Sequence, residues 1–423
     1  MGSNDLKEKI GVIGLGYVGL PLAVLLSSKY VVRGFDISSA RLKELKELKD
    51  STLEVSPDAL QRAFSNGFSC SDNPESLRDC TFYVVTVPTP VNSNHEPDLQ
   101  PLESASRVIG EVIKPGDVVV FESTVYPGTT EEFCIPVIEE VSGLKCNVDF
   151  TVGYSPERIN PGDRIHTVEN ICKIVSGSSP EALDRIDKVY ASVIKAGTYR
   201  APAIKVAEAA KVIENTQRDV NIAFFNEVTK VFNALGINTA EVIEAASTKW
   251  NFLRFHPGLV GGHCIGVDPY YLIRKAELHG MHPRLIAEAR NVNESMGFYL
   301  SDQVVEALNR RNKPISNTRI LILGFSFKKD CPDIRNTKTY DTITSLSRYG
   351  SKVVVYDPWV DRDAVAAEYG DVPLAADLHE VKLAGPYDVV VHCVDHSCFR
   401  DLDLADSKTT DCVDCSIINP YKE

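Results

Sequence analysis

Lys9-Ile10-Gly11-Val12-Ile13-Gly14-Leu15-Gly16-Tyr17-Val18-Gly19, continuing through an apolar stretch to Leu26 and on to Val31-Val32-Arg33-Gly34-Phe35-Asp36, reads as strand, glycine-rich turn, helix and second strand. In such a unit Gly14 permits the tight turn, Gly16 lets backbone approach a pyrophosphate, and Gly19 allows close packing of helix on sheet. The helix start offers N–H groups and a partial positive charge to phosphate. Asp36 ends the second strand, where a carboxylate accepts hydrogen bonds from ribose hydroxyls and repels a 2′-phosphate, so NAD is expected over NADP. Arg41 follows closely and is a residue type that accommodates such a phosphate, which makes it a further cofactor-contact candidate.

Outward from this turn, short apolar runs recur at Thr81 to Val87, Asp117 to Phe121, Phe150 to Val152 and Cys172 to Ser176, with amphipathic stretches such as Thr129 to Val141 and Pro180 to Ile194 between them. Strands alternating with helices predict a parallel sheet covered on both faces. From Lys205 to Leu235 there is no Gly or Pro, Pro202 stands just before, and Gly236 just after. Those signals predict one helix roughly 45 Å long, suited to joining domains or forming a subunit interface. Strand-like runs resume at Arg319 to Leu323, Lys352 to Tyr356, Asp388 to Cys393 and Thr410 to Val413, while the turn Gly324-Phe325-Ser326-Phe327 lacks the three-glycine spacing. The expected fold is therefore α/β: two doubly wound, Rossmann-like domains (1–200 and 301–423) joined by an all-helical domain (201–300) built on the long helix.

At 423 residues the chain exceeds a single core, and its 43% hydrophobic and 24% charged residues are those of an ordinary folded protein. A net charge of −13 gives no basic field for phosphate backbones, which argues against nucleic acid as a partner. No apolar run of about 18 residues is present, so no membrane span is expected. Eleven cysteines without framework spacing fit a reducing cytoplasm. Cys393, Cys398, Cys412 and Cys415 make a C-x4-C and a C-x2-C pair within strand-like runs, read as structural, so no metal is expected.

A second glycine cluster, Gly258-Leu259-Val260-Gly261-Gly262-His263-Cys264-Ile265-Gly266-Val267-Asp268, surrounds one thiol. Backbone that must come close to a ligand favours glycine, and a thiol in that setting, with Asp268 four residues on, suits a nucleophile as well as it suits a core cysteine. His263 adjoins Cys264, but a nucleotide-binding fold argues against a cysteine protease pair. On the long helix Lys211 and Asn215 are i and i+4 on one face, a cation and an amide donor spaced to steady an oxyanion.

These segments, with Ser155-Pro156-Glu157-Arg158, Glu208-Ala209-Ala210-Lys211 and Phe327-Lys328-Lys329-Asp330 followed by Arg335, occur in an order that resembles the UDP-glucose/GDP-mannose dehydrogenase family over nearly the whole chain. Thr248-Lys249-Trp250-Asn251-Phe252 and the run from His256 to Tyr271 are most similar to its bacterial UDP-N-acetylhexosamine 6-dehydrogenases. The resemblance implies a four-electron oxidation of a C6 alcohol to a carboxylate, with a thioester on Cys264 and NAD as oxidant. It implies that Lys211 and Asn215 hold the C6 oxygen, that Asp268 moves a proton, and that Thr124 and Glu157 serve thioester hydrolysis. It adds Tyr17, Val18, Thr89, Thr124 and Arg335 to the cofactor contacts, and Glu157, Arg158, Asn160, Lys211, Asn215, Lys249, Gly261 and Lys328 to those of the UDP-sugar. Pro161 stands where UDP-glucose members usually carry a second glutamate, which points to UDP-N-acetylglucosamine or its galactose epimer, with UDP-N-acetylmannosamine or UDP-glucose as alternatives. The long helix suggests a homodimer. A non-catalytic NAD-binding scaffold would need neither the thiol nor the Lys–Asn pair, and a two-electron dehydrogenase or epimerase would need no thiol.

Overall fold

The computed structural model describes residues 8–92, 96–159, 167–262, 264–400 and 402. The predicted strand 410–413, the Cys412–Cys415 pair, Asn160, Pro161 and His263 lie outside the described residues. The chain divides into two units: Met1–Glu214 with Tyr270–Met281, and Asn215–Pro269 with His282–Glu423.

The first unit is built on strands β1 (Lys9–Ile13), β2 (Val31–Phe35), β3 (Ser69–Ser71), β4 (Phe82–Val85), β5 (Val118–Phe121), β6 (Thr151–Tyr154), β7 (Lys173–Gly177) and β8 (Thr198–Arg200), in the order β3-β2-β1-β4-β5-β6-β7-β8. Side chains of a strand alternate between faces, and here both faces are dry. Ile10 and Val12, Phe82 and Val84, and Val118 and Val120 join one core; Ile13, Tyr83, Val85, Val119 and Phe121 join the other. The unbroken apolar runs seen in the sequence are the consequence of this two-sided burial. Strands β1 to β6 are parallel, but β7 runs antiparallel to β6, pairing Gly153 with Gly177 and Tyr154 with Ser176. This departs from the all-parallel expectation. A parallel return needs a crossover, usually helical, and the described residues between β6 and β7 form only a short 3-10 turn, Val168–Asn170. The segment predicted as a helix from Thr129 begins as a π-helical turn, Thr130–Cys134, before the α-helix Ile135–Ser142.

The long helix spans Ile204–Leu235, one residue longer than the predicted span of Lys205 to Leu235, and ends at Gly236, whose φ is +69°. The division between the units falls within it, after Glu214. The second unit holds the rest of that helix, the helices Thr239–Ser247, Arg284–Glu294 and Met296–Arg310, and a three-stranded parallel sheet. Its strands are β9 (Arg319–Leu323), β10 (Lys352–Tyr356) and β11 (Val389–His392), ordered β10-β9-β11. They alternate in the same way: Ile320, Ile322, Val389 and Val391 face one core, and Leu321, Leu323 and Val390 the other.

Candidate active site

In the first unit, Gly14 adopts φ +91° and its N–H donates to the Phe35 carbonyl at 2.8 Å. A Cβ on Gly19 would lie 1.8 Å from the Gly14 carbonyl oxygen and 2.4 Å from Thr86 Oγ1, so this position excludes any side chain. At Gly16 a Cβ would meet nothing within 4 Å, which leaves open space over the turn. The helix Gly19–Leu26 has no side-chain cap at its start, where the helix dipole favours an anion. Asp36, partly exposed, accepts Leu15 N–H on Oδ2 and Ser38 N–H on Oδ1, each at 2.8 Å. Each oxygen retains a lone pair for a ribose hydroxyl. A closed turn, open space above it and a carboxylate at the strand end fit a dinucleotide.

Arg41 is engaged inward. Its Nε donates to the Leu15 carbonyl at 2.8 Å, and Nη1 pairs with Glu44 and, at 2.9 Å, with Asp50. Two carboxylates already answer its charge, so a 2′-phosphate finds little net attraction there, while the bond to Leu15 supports the glycine turn. Thr89 and Thr124 come together: the Thr89 hydroxyl donates to the Thr124 carbonyl at 2.7 Å, and Tyr271 Oη donates to the Thr89 carbonyl at 2.7 Å. Glu157 is buried, with Oε1 accepting the N–H groups of Arg158 and Ile159. Arg158 forks onto Glu214 (Nη2–Oε1 2.6 Å, Nε–Oε2 3.2 Å) and donates to the Cys172 carbonyl at 3.1 Å. Lys211 is buried near the end of this unit's part of the long helix. Tyr17 and Val18 are partly exposed in the glycine turn.

In the second unit the Cys264 loop is fastened at several points. Asn226, buried on the long helix, accepts Gly258 N–H on Oδ1 at 2.8 Å and donates from Nδ2 to the Gly258 carbonyl at 3.0 Å. Gly262, at φ +80°, donates to the Arg335 carbonyl at 3.0 Å, and Asn336 Nδ2 returns a bond to the Gly262 carbonyl at 3.1 Å. A Cβ on Gly262 would lie 2.7 Å from the Phe327 ring, and one on Gly261 2.8 Å from the Asn336 carbonyl oxygen, so the paired glycines let two backbone segments meet. At the loop's far end Asn215 Nδ2 donates to Asp268 Oδ2 at 2.5 Å, both buried. Cys264 is partly exposed, and its carbonyl accepts the N–H groups of Val267 and Asp268.

The remaining candidates are less uniform. Lys328 is partly exposed beside the Phe327 ring that meets Gly262, and Lys249 is exposed. Arg335 forks onto Asp333, with Nε 2.9 Å from Oδ1. The turn at Gly324 repeats the first one: φ is +91°, its N–H donates to the Tyr356 carbonyl, and Phe325 N–H reaches Asp357 Oδ2 at 2.7 Å. Asp357 is nevertheless buried, with His396 Nε2 3.0 Å from the same oxygen. Burial favours the neutral acid, yet the His396 hydrogen bond and the N–H donors hold its carboxyl below the usual range.

Three consecutive segments match one family. Its NAD binding domain matches residues 8–194, its central domain 205–295 and its UDP binding domain 321–417. The chain belongs to the UDP-glucose/GDP-mannose dehydrogenase family. It is an NAD-dependent oxidoreductase. It is 51% identical over 399 residues to the UDP-N-acetyl-D-glucosamine 6-dehydrogenase of Pseudomonas aeruginosa, covering 94% of this chain and 92% of that one. It is 32% identical over 405 residues to an NDP-N-acetyl-D-galactosaminuronic acid dehydrogenase of Ralstonia solanacearum, covering 93% and 92%. Among solved structures, the UDP-D-ManNAc dehydrogenase of Pyrococcus horikoshii superposes with a TM-score of 0.83 at 32% identity, covering 94% of this chain and 92% of that one.

Within this family member, several residues carry buried contacts to which the sequence assigned no role. Glu208 is fully buried and accepts Gly128 N–H at 2.5 Å and Thr130 N–H at 2.9 Å, tying the long helix to the segment just after Thr124. Burial pushes its carboxyl up despite those two donors. Asn226 gave no signal beyond an amide in mid-helix. Lys173 opens a strand, where lysine usually reads as a solvated end, yet it is buried against two carboxylates. Among the described residues no group of acids, thiols and imidazoles is arranged to hold a metal, and no helix is long and apolar enough to cross a membrane.

Proposed function

We propose that this enzyme oxidises the C6 alcohol of a UDP-N-acetylhexosamine, of glucose or galactose configuration, to the uronic acid, and that Cys264 carries the sugar between the two oxidation stages. The observation that carries the reading is the 2.5 Å bond from Asn215 to Asp268, which joins an amide donor to a carboxylate at the end of the Cys264 loop. The 51% identity to a UDP-N-acetyl-D-glucosamine 6-dehydrogenase supports the acetamido-sugar. The Pyrococcus UDP-D-ManNAc dehydrogenase is more distant, at 32%.

Bound NAD, held by the Gly14–Gly19 turn, Asp36 and the Thr89–Thr124 segment, supplies the acceptor for hydride from C6. The protein's part is to manage the oxygen, the carbon and the protons. Lys211 and Asn215 stabilise the C6 oxygen as it gains charge. The Cys264 thiolate adds to the aldehyde carbon, forming a C–S bond and a thiohemiacetal whose second oxidation leaves a thioester. Water then adds to the thioester carbonyl, the C–S bond breaks with its electron pair on Sγ, and Glu157, Thr124 and Asp268 orient that water and take its proton. Lys328, Lys249 and Gly261 serve the UDP-sugar, and Arg335, once released from Asp333, meets the cofactor. A division into residues 1–200 for NAD, 201–300 for the thiol loop and dimerisation, and 301–423 for UDP accommodates these roles. The exposed Phe224, Val231 and Leu235, at helical spacing on the long helix, support its use as a homodimer seam. Soluble nucleotide-sugar and NAD pools, together with cysteines that lack framework spacing, suit a cytoplasmic enzyme. The resemblance implies that surface polysaccharide synthesis consumes the product.

Incubation with NAD and a panel of UDP-sugars, counting NADH per sugar consumed, tests this. Two per UDP-N-acetylhexosamine are expected, with none from Cys264→Ala in net acid formation. One per sugar, or continued acid production without the thiol, refutes it.

A further inference from the structure

The ion cluster behind Glu157 plays no part in the chemistry described above. Lys173 Nζ lies 2.6 Å from Glu122 Oε2, 3.4 Å from Glu157 Oε2 and 3.2 Å from the Pro156 carbonyl oxygen. Side-chain exposures are 5% for Lys173, 0% for Glu122 and 10% for Glu157, so water neutralises none of these charges. Three elements face the ammonium: β5 through Glu122 just beyond its end, the segment after β6 through Glu157, and the helix Pro180–Ala191 through Tyr190. The Tyr190 hydroxyl donates to Glu122 Oε1, and its ring lies 5.6 Å from Nζ. The antiparallel turn of β7 delivers Lys173 to this place. Ser155 Oγ donates to the Ile174 carbonyl and Ser176 Oγ to the Tyr154 carbonyl, both at 2.7 Å, stitching the Glu157 segment to β7.

Taking a cation out of water costs several kcal/mol and stabilises a fold only when its partners are exact in geometry. A structural pair needs one acid; this lysine has two, and the second is Glu157. We propose that Lys173 is a positioning residue for thioester hydrolysis, anchoring the Glu157 carboxylate from behind, with Glu122 and Tyr190 fixing the ammonium in turn. The proposal rests on the reading of Glu157 as the residue that takes the proton of the attacking water. Burial works against the charged lysine, but Glu122 and Glu157 hold its pKa above the ordinary value. Burial pushes the Glu122 carboxyl up, against the pull of the Lys173 charge.

The test is pre-steady-state NADH formation in Lys173→Met. Hydride removal does not involve Glu157, so the first turnover should still release NADH at the parent rate. Steady-state kcat should fall about 100-fold, the low end of what general-base catalysis contributes, with KM for the sugar nucleotide changed less than about 2-fold and acyl-enzyme visible by intact mass. Lys173→Arg should recover most of the loss. In a Glu157→Gln background, adding Lys173→Met should change kcat by less than about 2-fold, because residues acting as a unit are not additive. A Lys173→Met defect that persists in full in that background, or that slows the first turnover equally, overturns the role of Lys173. A Glu157→Gln enzyme with parent turnover overturns the reading of Glu157 instead, and the proposal with it. Lys173→Met/Glu122→Gln removes one charge of each sign and guards against misfolding. The same selective loss is expected from it, and parent turnover would overturn the proposal.

Discussion

Asn226→Ala asks how much of the Cys264 loop's order comes from a single amide. In the parent, Oδ1 accepts Gly258 N–H at 2.8 Å, and Nδ2 donates to the Gly258 carbonyl at 3.0 Å and to Asn293 Oδ1 at 2.8 Å. Gly258 is partly exposed, so its two groups can recover water, and each lost bond should cost about 1 kcal/mol. Asn293 is fully buried and its Oδ1 cannot, so that loss should cost about 2 kcal/mol. The sum is about 4 kcal/mol, to be read from urea unfolding followed by a probe in the second unit. Cys264 lies six residues beyond Gly258. A loop released at this end should shift the thiol by a fraction of an ångström to an ångström, and kcat should fall about 10- to 100-fold. NAD affinity should not change, since the glycine turn and Asp36 lie in the other unit. A stability loss below about 1 kcal/mol with parent kcat would refute the reasoning; so would weakened NAD binding at parent stability.

Asp36→Ala removes both acceptors offered to the ribose and the partner of Leu15 N–H; NAD should bind about 10- to 100-fold more weakly by titration. NADP should gain little, because Arg41 stays paired with Glu44 and Asp50. Asp50 is itself a pH probe. Burial raises its pKa, but hydrogen bonds from Thr52 and Val55 and the Arg41 charge bring the net value below the ordinary one. A depressed folded-state pKa gives stability that is present above the unfolded value, about 4, and is lost as pH falls through the lower folded value. Asp50→Asn should therefore lower the melting temperature at pH 7, and the gap to the parent should close as pH approaches 3; a gap that widens there would contradict the pairing.

How far the sequence could be read depended on the range of the interactions involved. The strands Arg319–Leu323 and Lys352–Tyr356 fall where their apolar runs stand, because burial on both faces leaves an unbroken signal. The long helix was bounded to within one residue by Pro202 and Gly236, whose effects are local. The tight turn at Gly14, the close packing at Gly19 and the carboxylate of Asp36 at the strand end were legible for the same reason. The direction of β7 was not: an apolar strand reads alike in either sense, and only its partner decides. Lys173 and Glu122 are 51 residues apart, and Asn226 and Gly258 32 apart. Each reads singly as an ordinary polar residue, since nothing short-ranged marks the two ends of a buried contact. Arg335 and Arg158 were picked as cations for a ligand, yet each is held by a carboxylate, Asp333 and Glu214. Free guanidinium forks find the nearest acid, and ligand binding must compete with it.

The two glycine turns show how one local plan supports different ligands. Gly14 and Gly324 share φ +91° and the same bond to the end of the neighbouring strand, and Leu15 and Phe325 both donate to the acid that follows it. Two residues on, the plans part. Gly16 leaves open space, whereas Ser326 carries a hydroxyl bonded to the Lys328 carbonyl at 3.0 Å and lying 3.2 Å from His396 Nε2. Gly19 then starts a helix, but residues 327–338 form none, and the next helix is Thr339–Arg348. The second turn thus lacks both the clearance and the N-terminal dipole that a pyrophosphate uses in the first. Its acid is spent as well: Asp36 is partly exposed, while Asp357 is 4% exposed beneath His396. At the end of β9 stands instead the Phe327-Lys328-Lys329 segment, with Lys329 3.8 Å from Asp395, and its lysines suit a ligand's charge rather than its ribose. A shared strand-and-turn geometry therefore sets where a nucleotide can approach, and the residues two and five places beyond the glycine set what it can be.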